Sequence, residues 1–349
     1  MRSIALRMFA GWLVFTLGVT SWGAEPASVG QSQRGPQSQS EKVLRAGIIG
    51  LDTSHVIAFT QILNDPKAGP EIAGVRVVAA FPGGTPDNPS SWNRVGQYTE
   101  KIRAMGVEIV PSIDELLRRV DVILLESVDG RPHLEQARPV IAARKPLFID
   151  KPMAASLADV IEIFRLAHEA AVPCFSSSSL RFGSGFQEAR HGKFGQVRRC
   201  TAWSPMSIEP HHPDLFWYGV HGVEILYTVM GTGCQSVRRE GQEKVVGVWA
   251  DGRQGTFMAK KGYGAEIEGT AGKAVIDKYE GYRPLVVQIV KFFKTGVPPV
   301  SAEETTELFA FMEAADESKR QGGAAVTIES VMAKARKQAE AKRLGRSNN

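Results

Sequence analysis

Short apolar runs alternate with amphipathic stretches from residue 43 to residue 178. Apolar runs separated by helical patterns are typical of a parallel sheet that is covered by helices on both faces. The runs predict strands at residues 44–49, 75–81, 108–110, 122–127, 146–149 and 173–178, and the stretches predict helices at residues 55–63, 95–105, 113–119, 133–143 and 157–170. Right-handed crossovers between such strands give a doubly wound domain, whose ligand crevice lies at the carboxyl ends of the strands.

The pattern changes after residue 179 to that of a meandering sheet. Strands are predicted at residues 197–203, 236–239, 245–249, 255–260, 264–268 and 273–276, and helices at residues 221–230, 285–294 and 302–321. We therefore expect an α/β protein with a Rossmann-like domain at residues 43–178 and an α+β domain at residues 179–330. The second domain is expected to have a largely antiparallel, open sheet, and residues 331–349 are expected to form a basic C-terminal tail.

The first 24 residues have the order of a secretory signal peptide. Two arginines come before an apolar stretch at residues 8–19, and small residues ending at Ala24 follow it. A membrane span needs ~20 residues, so a cleaved signal is expected; an uncleaved signal is the alternative and would be the protein's contact with a membrane. Residues 25–42, which are rich in Ser, Gln, Gly and Pro, predict a flexible linker. The protein is therefore expected to be exported, and to be periplasmic or secreted.

The composition is that of a soluble globular protein and does not favour nucleic acid as a partner. The chain has 349 residues, of which 43% are hydrophobic and 23% charged, and its formal net charge is +5. Basic residues are scattered except at residues 334–346, which are typical of a solvated helix end. The three cysteines have neither metal-ligand spacing nor a disulfide framework. The adjacent His211 and His212 do not complete a metal site with Asp214, so no metal is predicted.

A strand, a glycine turn and a helix follow one another at the start of the first domain, which is the context in which a G-x-G-x-x-G fingerprint indicates a dinucleotide-binding domain. Gly50 occupies the first glycine position and makes the tight turn, whereas Asp52 and His55 occupy the second and third positions. Asp52 brings a negative charge close to the place of the pyrophosphate, while Thr53 and Ser54 offer hydrogen-bond donors. How a cofactor is held therefore depends on this loop.

The second predicted strand ends at Phe81, where an NAD site usually has an acid about 20 residues after the glycines. The residues that follow, Pro82-Gly83-Gly84, contain neither that acid nor an arginine that would favour a phosphorylated ribose. Phe81 could pack on an adenine ring or in the core. The choice between NAD and NADP stays open at this point.

Four stretches together resemble the Gfo/Idh/MocA family, the relatives of glucose–fructose oxidoreductase and inositol dehydrogenase. They are the turn at residues 47–50, the strand at residues 122–127 with the following Arg131-Pro132-His133, the sequence Asp150-Lys151-Pro152 in place of Glu-Lys-Pro, and residues 217–224 in place of Asp-x-Gly-x-His-x-x-Asp. The likeness spans nearly all of residues 43–330. It implies NAD or NADP as the cofactor, a small carbohydrate-like substrate and a homo-oligomer formed over the open sheet.

The resemblance also assigns roles to single residues. Lys151 and His221 would be catalytic, since they would manage the proton of a substrate hydroxyl while hydride passes to the nicotinamide. An indole at Trp217 cannot replace the carboxylate of the family's motif as an acceptor or base. The predicted cofactor contacts are Gly50, Asp52, Thr53, Ser54, His55, Phe81, Ser127 and Asp150, and the predicted substrate contacts are Lys151, Arg181, His212, Trp217 and His221.

Alternatives stay open for single residues and for the function. Lys151 could be an ordinary surface lysine, His221 a structural histidine and Arg181 a salt-bridge residue. The leading hypothesis is an exported NAD(P)-dependent oxidoreductase that acts on a CH–OH group of a sugar, cyclitol or polyol. The first alternative is a secreted sugar- or ligand-binding protein without redox turnover, which the altered turn and Trp217 favour. The second is an NAD-dependent enzyme that cleaves a glycosidic bond.

Overall fold

The computed structural model describes residues 43–347, which belong to one compact unit built around two β-sheets. The predicted signal peptide at residues 1–24 and the predicted linker at residues 25–42 lie outside the described residues. Within residues 43–347, no helix is both long enough and apolar enough to cross a membrane.

The first sheet is a parallel sheet with helices between its strands. Its strands are β1 (Leu44–Ile49), β2 (Val75–Phe81), β3 (Glu108–Ile109), β4 (Val122–Leu125), β5 (Leu147–Ile149) and β6 (Cys174–Ser176). The helices that alternate with them are α1 (Ser54–Leu63), α2 (Pro89–Ala104), α3 (Ile113–Leu117), α4 (His133–Ala142) and α5 (Leu157–Glu169). The strand order is β3-β2-β1-β4-β5-β6, so the order reverses between β1 and β4, which is where this fold binds its ligands.

Helix α2 begins at Pro89, earlier than the start at residue 95 that apolar periodicity predicts. Asn88 caps the helix, since its side chain accepts a hydrogen bond from Ser90 N at 2.9 Å. Pro89 takes the first helical position, where its missing N–H leaves no hydrogen bond unmade. The polar first turn hides this start from the sequence pattern, and it brings Ser90 and Ser91 to the carboxyl edge of the sheet.

The second sheet has seven strands and is mostly antiparallel. The strands are β7 (Val197–Ser204), β8 (Cys234–Glu240), β9 (Lys244–Trp249), β10 (Gln254–Ala259), β11 (Gly264–Gly269), β12 (Gly272–Ile276) and β13 (Val326–Thr327). Their order is β12-β11-β7-β10-β9-β8-β13, in which β7 and β10 pair in parallel and the other neighbours antiparallel. The predicted fold class, a Rossmann-like sheet joined to an α+β part with a largely antiparallel sheet, is confirmed.

Five further α-helices lie in the second part of the chain. They are α6 (Ser184–Arg190), α7 (Val220–Met230), α8 (Arg283–Thr295), α9 (Ala302–Arg320) and α10 (Ile328–Ser347). The sequence pattern predicts α7, α8 and α9 to within a few residues, but it does not predict α6 or strand β13. Both are too short to show a period.

The segment predicted as a basic C-terminal tail is the packed helix α10. Its small apolar residues Val331, Ala335 and Ala339 are buried in the main apolar core. Lys342 Nζ lies 2.7 Å from Asp159 Oδ1 of α5 and ties the end of the helix to the first sheet. The many basic residues lie between these apolar positions, which recur every four residues as on one helix face. Charge therefore masked an amphipathic helix in the sequence.

The two sheets share one apolar core. Ile49 and Ile149 of the first sheet belong to the same buried cluster as Phe257 and Ile267 of the second. The three cysteines are buried and free. Burial raises the pKa of the Cys174 thiol to about 12, which keeps that group protonated and unreactive.

Candidate active site

A pocket of about 200 Å³ opens at the carboxyl edge of the first sheet and is covered by residues of the second part of the chain. It is smaller than the ~300–1,000 Å³ of pockets for drug-sized ligands, which suits a small molecule. The lining residues are Thr53, Ser54, His55, Ser90, Arg94, Val128, Lys151, Ser179, Leu180, Trp217, Tyr218, His221, Tyr263, Tyr279 and Tyr282. Five of these side chains are aromatic, so the pocket offers apolar ring faces together with phenol hydroxyl groups.

Gly50 makes the tight turn after β1 that the sequence predicts. Its φ is +90°, and a Cβ atom at this position would lie 2.4 Å from Ser127 Oγ, so the turn requires glycine. Gly50 N and Leu51 N donate hydrogen bonds to the carbonyl oxygens of Phe81 and Pro82, at 2.9 and 2.7 Å. The turn is therefore packed tightly against the end of β2 and the loop after β4.

Asp52, at the second glycine position, joins the loops of three neighbouring strands. Its buried carboxylate accepts hydrogen bonds from Ser91 Oγ at 2.6 Å and from Val128 N at 2.9 Å. Ser91 lies in α2, after β2, and Val128 follows β4, so these two loops flank the turn after β1. Burial raises the pKa of Asp52, and the two hydrogen bonds offset only part of that effect. The side chain spans the crevice in which this fold usually holds a pyrophosphate.

The crevice at the carboxyl edge of the first sheet suits a dinucleotide at one end only. Thr53, Ser54 and Arg94 line the pocket, where the N-terminus of α1 and a guanidinium suit an anionic group. At the usual place of the pyrophosphate, by contrast, Asp52 contributes a carboxylate and a closed hydrogen-bonded bridge. A dinucleotide in the usual extended pose requires this bridge to open.

Lys151 and His221 both line the pocket. Lys151 follows the end of β5, and its Nζ lies 5.8 Å from the centre of the Tyr218 ring. His221 Nδ1 lies 2.8 Å from Ser178 Oγ, so this hydrogen bond positions the ring and Nε2 is the nitrogen left for a ligand. Burial, together with the positive charges of Lys151 and His55, lowers the pKa of His221 well below its usual range. A neutral imidazole beside an ammonium group can hold a hydroxyl and take its proton.

A π-helical turn at Leu215–Gly219 places two aromatic side chains next to His221. Trp217 and Tyr218 of this turn line the pocket. The His221 ring packs edge-on against Tyr218 and Tyr263, with ring centres 5.8 and 5.5 Å apart. Such turns are rare in proteins as a whole, but those that occur are often found at functional sites. Trp217, which stands where the family motif has a carboxylate, is thus part of an aromatic wall of the pocket.

Three ionisable side chains meet beside Lys151, at the ends of β1, β4 and β5. His55 Nδ1 lies 2.6 Å from Asp150 Oδ2, and the histidine side chain is 12% exposed. Burial acts to raise the pKa of Asp150, but His55 and Lys151 outweigh it and hold that pKa below its usual range. Glu126 is fully buried, and burial with the nearby Asp150 raises the pKa of Glu126 well above its usual range.

Arg181, a predicted substrate contact, lies in a buried ion-pair network and not in the pocket lining. Its side chain is 2% exposed and binds Glu224 through Nε and Glu304 through Nη1, the latter at 2.6 Å. Glu304 also binds Arg190 at 2.8 Å. Two buried carboxylates need a cation beside them, so the salt-bridge alternative describes Arg181.

His212, another predicted substrate contact, is enclosed by two acids. Its Nδ1 lies 2.6 Å from Glu209 Oε2 and its Nε2 lies 3.2 Å from Asp129 Oδ1, with no part of the side chain exposed. Burial acts to lower the pKa of His212, but Asp129 and Glu209 outweigh it. They raise the pKa of His212 and favour its charged form. The His212 ring contacts that of Trp217, with ring centres 5.0 Å apart. His212 therefore supports the pocket wall and does not itself form it.

Two predicted cofactor contacts, Phe81 and Ser127, lie at strand ends next to the pocket. Phe81 packs against the main apolar core, so of its two possible roles, an adenine contact or a core residue, the structure shows the second. Ser127 Oγ donates a hydrogen bond to Gln136 Oε1 at 2.9 Å. Both residues shape the turn around Gly50 and neither lines the pocket.

Several site residues were missed in the sequence. Glu126 carried a signal, because it is an acid directly after the apolar run of β4, at the edge where ligands bind. Tyr263, Tyr279 and Tyr282 lie in connections around the second sheet and have no periodic pattern that points to the pocket. Arg94 lies in α2, one residue before the helix start that the sequence pattern predicts.

The fold and the pocket define a protein class in which a Rossmann-like sheet carries the site at its carboxyl edge and a second, mixed sheet completes it. Residues 92–178 match the model of a family described as an oxidoreductase family with an NAD-binding Rossmann fold, GFO_IDH_MocA. The resemblance to the Gfo/Idh/MocA family is thereby confirmed, and at this level so is the predicted class, an oxidoreductase of the NAD(P)-binding type. Comparison with curated proteins gives no match.

Solved structures resemble the chain over most of its length. A probable dehydrogenase from Thermotoga maritima has 21% identity and a TM-score of 0.67, over 82% of this chain and 100% of that one. Scyllo-inositol dehydrogenase from Lactobacillus casei, solved with bound NAD(H) and scyllo-inositol, has 15% identity and a TM-score of 0.66, over 82% and 100%. A putative NADPH-dependent oxidoreductase from Desulfitobacterium hafniense has 14% identity and a TM-score of 0.68, over 84% and 99%. At these identities the likeness establishes the fold.

Proposed function

We propose that the protein is an NAD(P)-dependent oxidoreductase that acts on a hydroxyl-bearing carbon of a sugar, cyclitol or related polyol. The observation that carries the proposal is that Lys151 and His221, from the two parts of the chain, line one small pocket. The aromatic residues around them support a carbohydrate-like ligand, because such a ring has apolar faces that pack on aromatic rings and hydroxyls that bind phenol groups. The matched family supports the redox class.

The chain's own residues divide the work with a substrate hydroxyl. Lys151 donates hydrogen bonds to the hydroxyl oxygen and stabilises negative charge on it. His221, whose lowered pKa leaves it neutral, accepts the hydroxyl proton through Nε2 while Ser178 positions the ring. When bound, a nicotinamide cofactor would supply the hydride acceptor for the same carbon. The aromatic wall limits the access of water to this carbon.

Cofactor binding is the measurement that tests this proposal most directly. The purified protein is denatured and the supernatant is assayed for released nicotinamide, and the native protein is then titrated with NAD⁺, NADH, NADP⁺ and NADPH by fluorescence and thermal shift. We expect binding of at least one form. If no nicotinamide is released and none of the four forms shifts either signal, the redox proposal is wrong.

A second candidate function, binding of a sugar or similar ligand without redox turnover, is supported by Asp52. Its bridge to Ser91 and Val128 closes the pyrophosphate position, whereas the pocket beside it stays open. The same titrations, extended to sugars and cyclitols, separate the two candidates: a binding protein responds to sugars or cyclitols and to no nicotinamide form. An enzyme that cleaves glycosides through transient oxidation would bind the cofactor and release a free sugar.

Asp52→Gly is expected to raise the affinity for NAD⁺ or NADP⁺ at least about tenfold, which corresponds to about 1.4 kcal/mol. Glycine removes the carboxylate from the pyrophosphate position and lets the backbone approach the phosphates. The same change leaves Ser91 Oγ and Val128 N without their acceptor and should lower the free energy of unfolding by about 1–3 kcal/mol. Isothermal titration and chemical denaturation measure the two effects.

Asp52→Asn is the matched control for this prediction, because it removes the charge but keeps the bulk of the side chain. We expect Asp52→Asn to gain less affinity than Asp52→Gly. Equal affinities of all three proteins would mean that Asp52 does not obstruct the cofactor, and the interpretation of the bridge would fail.

We also propose that the protein is exported and acts as a homo-oligomer. The signal-like order of residues 1–24 supports export, and the resemblance to the family supports assembly over the open sheet. Cell fractionation with N-terminal sequencing tests export, and light scattering of the purified protein tests assembly. A cytoplasmic, full-length monomer would contradict both proposals.

A further inference from the structure

Three side chains that could bind a cation converge where β1, β4 and β5 end. His55 lies in the first turn of α1, Glu126 follows β4 and Asp150 follows β5. One ligand atom from each, a ring nitrogen and two carboxylate oxygens, lies within 4.8 Å of the others. These strands are neighbours in the parallel sheet, so the fold brings together residues that are far apart in sequence.

Glu126 is the unusual member of this group. It is fully buried, and neither of its carboxylate oxygens has a hydrogen-bond partner among residues 43–347. Asp150 Oδ1 is buried and also lacks a partner within the described chain, although Oδ2 is paired with His55. Buried carboxylates are strongly unfavourable unless a cation or a proton balances them. Three buried carboxylate oxygens of this group therefore lack a partner within the described chain.

We propose that His55, Glu126 and Asp150 bind a divalent transition-metal ion such as Zn²⁺ or Mn²⁺. An imidazole with two carboxylates is a donor set that suits such ions, whereas Mg²⁺ and Ca²⁺ prefer oxygen ligands alone. The pair of His55 Nδ1 and Asp150 Oδ2, 2.6 Å apart, resembles the arrangement in which a carboxylate orients a metal-binding imidazole. The open Asp150 Oδ1 and the two Glu126 oxygens supply the negative charge that the ion needs.

The metal site reaches the pocket on its exposed side. His55 is the member of the group that lines the pocket, next to Lys151. Three protein ligands leave at least one coordination position for water or a substrate oxygen, as in catalytic metal sites. An ion here would polarise a hydroxyl or carbonyl bound between Lys151 and His221. The proposal does not depend on redox activity, since metal binding is measured without a cofactor.

The test uses the tag-free protein, because a histidine tag binds the same ions. The protein is stripped with EDTA, dialysed against Zn²⁺, Mn²⁺ or Mg²⁺ separately, and its metal content is measured by mass spectrometry and calorimetry. We expect about one equivalent of Zn²⁺ or Mn²⁺ with a rise in Tm, and little Mg²⁺. Glu126→Gln should weaken binding by about 100-fold or more, since it removes a charged ligand and keeps the shape.

Glu209→Gln is the matched control, because Glu209 is also a shielded acid next to histidines, His211 and His212. It should keep the full metal content. If Glu209→Gln loses the metal and Glu126→Gln keeps it, the proposed site is wrong. If the wild-type protein takes up neither Zn²⁺ nor Mn²⁺, a proton balances Glu126 and the proposal is also wrong. Should Glu126→Gln fail to fold, His55→Gln replaces it, and the same loss of metal is expected.

Discussion

Lys151→Ala is expected to lower kcat/KM by about 10²–10⁴, and His221→Ala by a similar factor, while both variants keep the cofactor affinity of the wild type. The two side chains line one pocket and act on a substrate hydroxyl, Lys151 as a donor and His221 as a neutral base. Initial rates with the polyol that gives the fastest wild-type turnover, and cofactor titrations of each variant, measure the two quantities separately.

Lys260→Ala is the matched control for this prediction. Lys260 is exposed, and its Nζ lies 4.4 Å from the centre of the Trp203 ring, so it is also a lysine over an aromatic ring but outside the pocket. We expect Lys260→Ala to have wild-type rates. If Lys151→Ala and His221→Ala lose cofactor binding together with turnover, these residues hold the cofactor and the assigned roles are wrong.

The second large effect concerns stability. Arg181→Met is expected to lower the free energy of unfolding by about 3–5 kcal/mol, because removing one partner of a buried ion pair leaves the opposite charge uncompensated. Glu224 loses its cation entirely, and Glu304 keeps only Arg190. Urea denaturation followed by circular dichroism measures the change. The pocket lining does not include Arg181, so ligand affinity per folded molecule should stay close to that of the wild type.

Arg103→Met provides the comparison, since Arg103 pairs with Glu100 on the surface of α2 with both side chains more than half exposed. Exposed pairs contribute about 0–1 kcal/mol, and a change of that size is expected. If Arg181→Met lowers the free energy of unfolding only as little as Arg103→Met does, but raises KM strongly, then Arg181 contacts the substrate. The prediction of Arg181 as a substrate contact would then hold, and the salt-bridge interpretation would be wrong.

The sequence was sufficient for the order of strands and helices in the first sheet and for part of the site. Apolar runs fix the strands of the first sheet, and the positions of Lys151 and His221 follow from strand ends and from a helix start that recur in a known family. The buried face of helix α10 was missed, because lysines and arginines outnumber the small residues of its buried stripe. Its packing depends on tertiary contacts with α5, which periodicity alone does not reveal.

Interactions between distant segments explain the remaining differences. The sequence shows that Asp52 stands where the fingerprint has a glycine, but the two groups that donate hydrogen bonds to its carboxylate, Ser91 Oγ and Val128 N, lie after two other strands. Likewise, the sequence around Arg181 is equally compatible with a ligand contact and with a salt bridge. The fold decides between them, because it places Glu304, 123 residues away, beside the guanidinium group. Residue chemistry limits what a side chain can do, whereas the neighbours that the fold supplies decide which of those roles it takes.

Helix α10 has a consequence for how the pocket can open. It starts beside β13 of the second sheet and ends against α5 of the first, where Lys342 meets Asp159. A hinge rotation that separates the two sheets would drag this helix across α5 and expose Val331, Ala335 and Ala339. Ligand entry should therefore proceed by rearrangement of the tyrosine-bearing loops at the pocket mouth. In solution scattering, the radius of gyration of the ligand-bound protein should then equal that of the ligand-free protein.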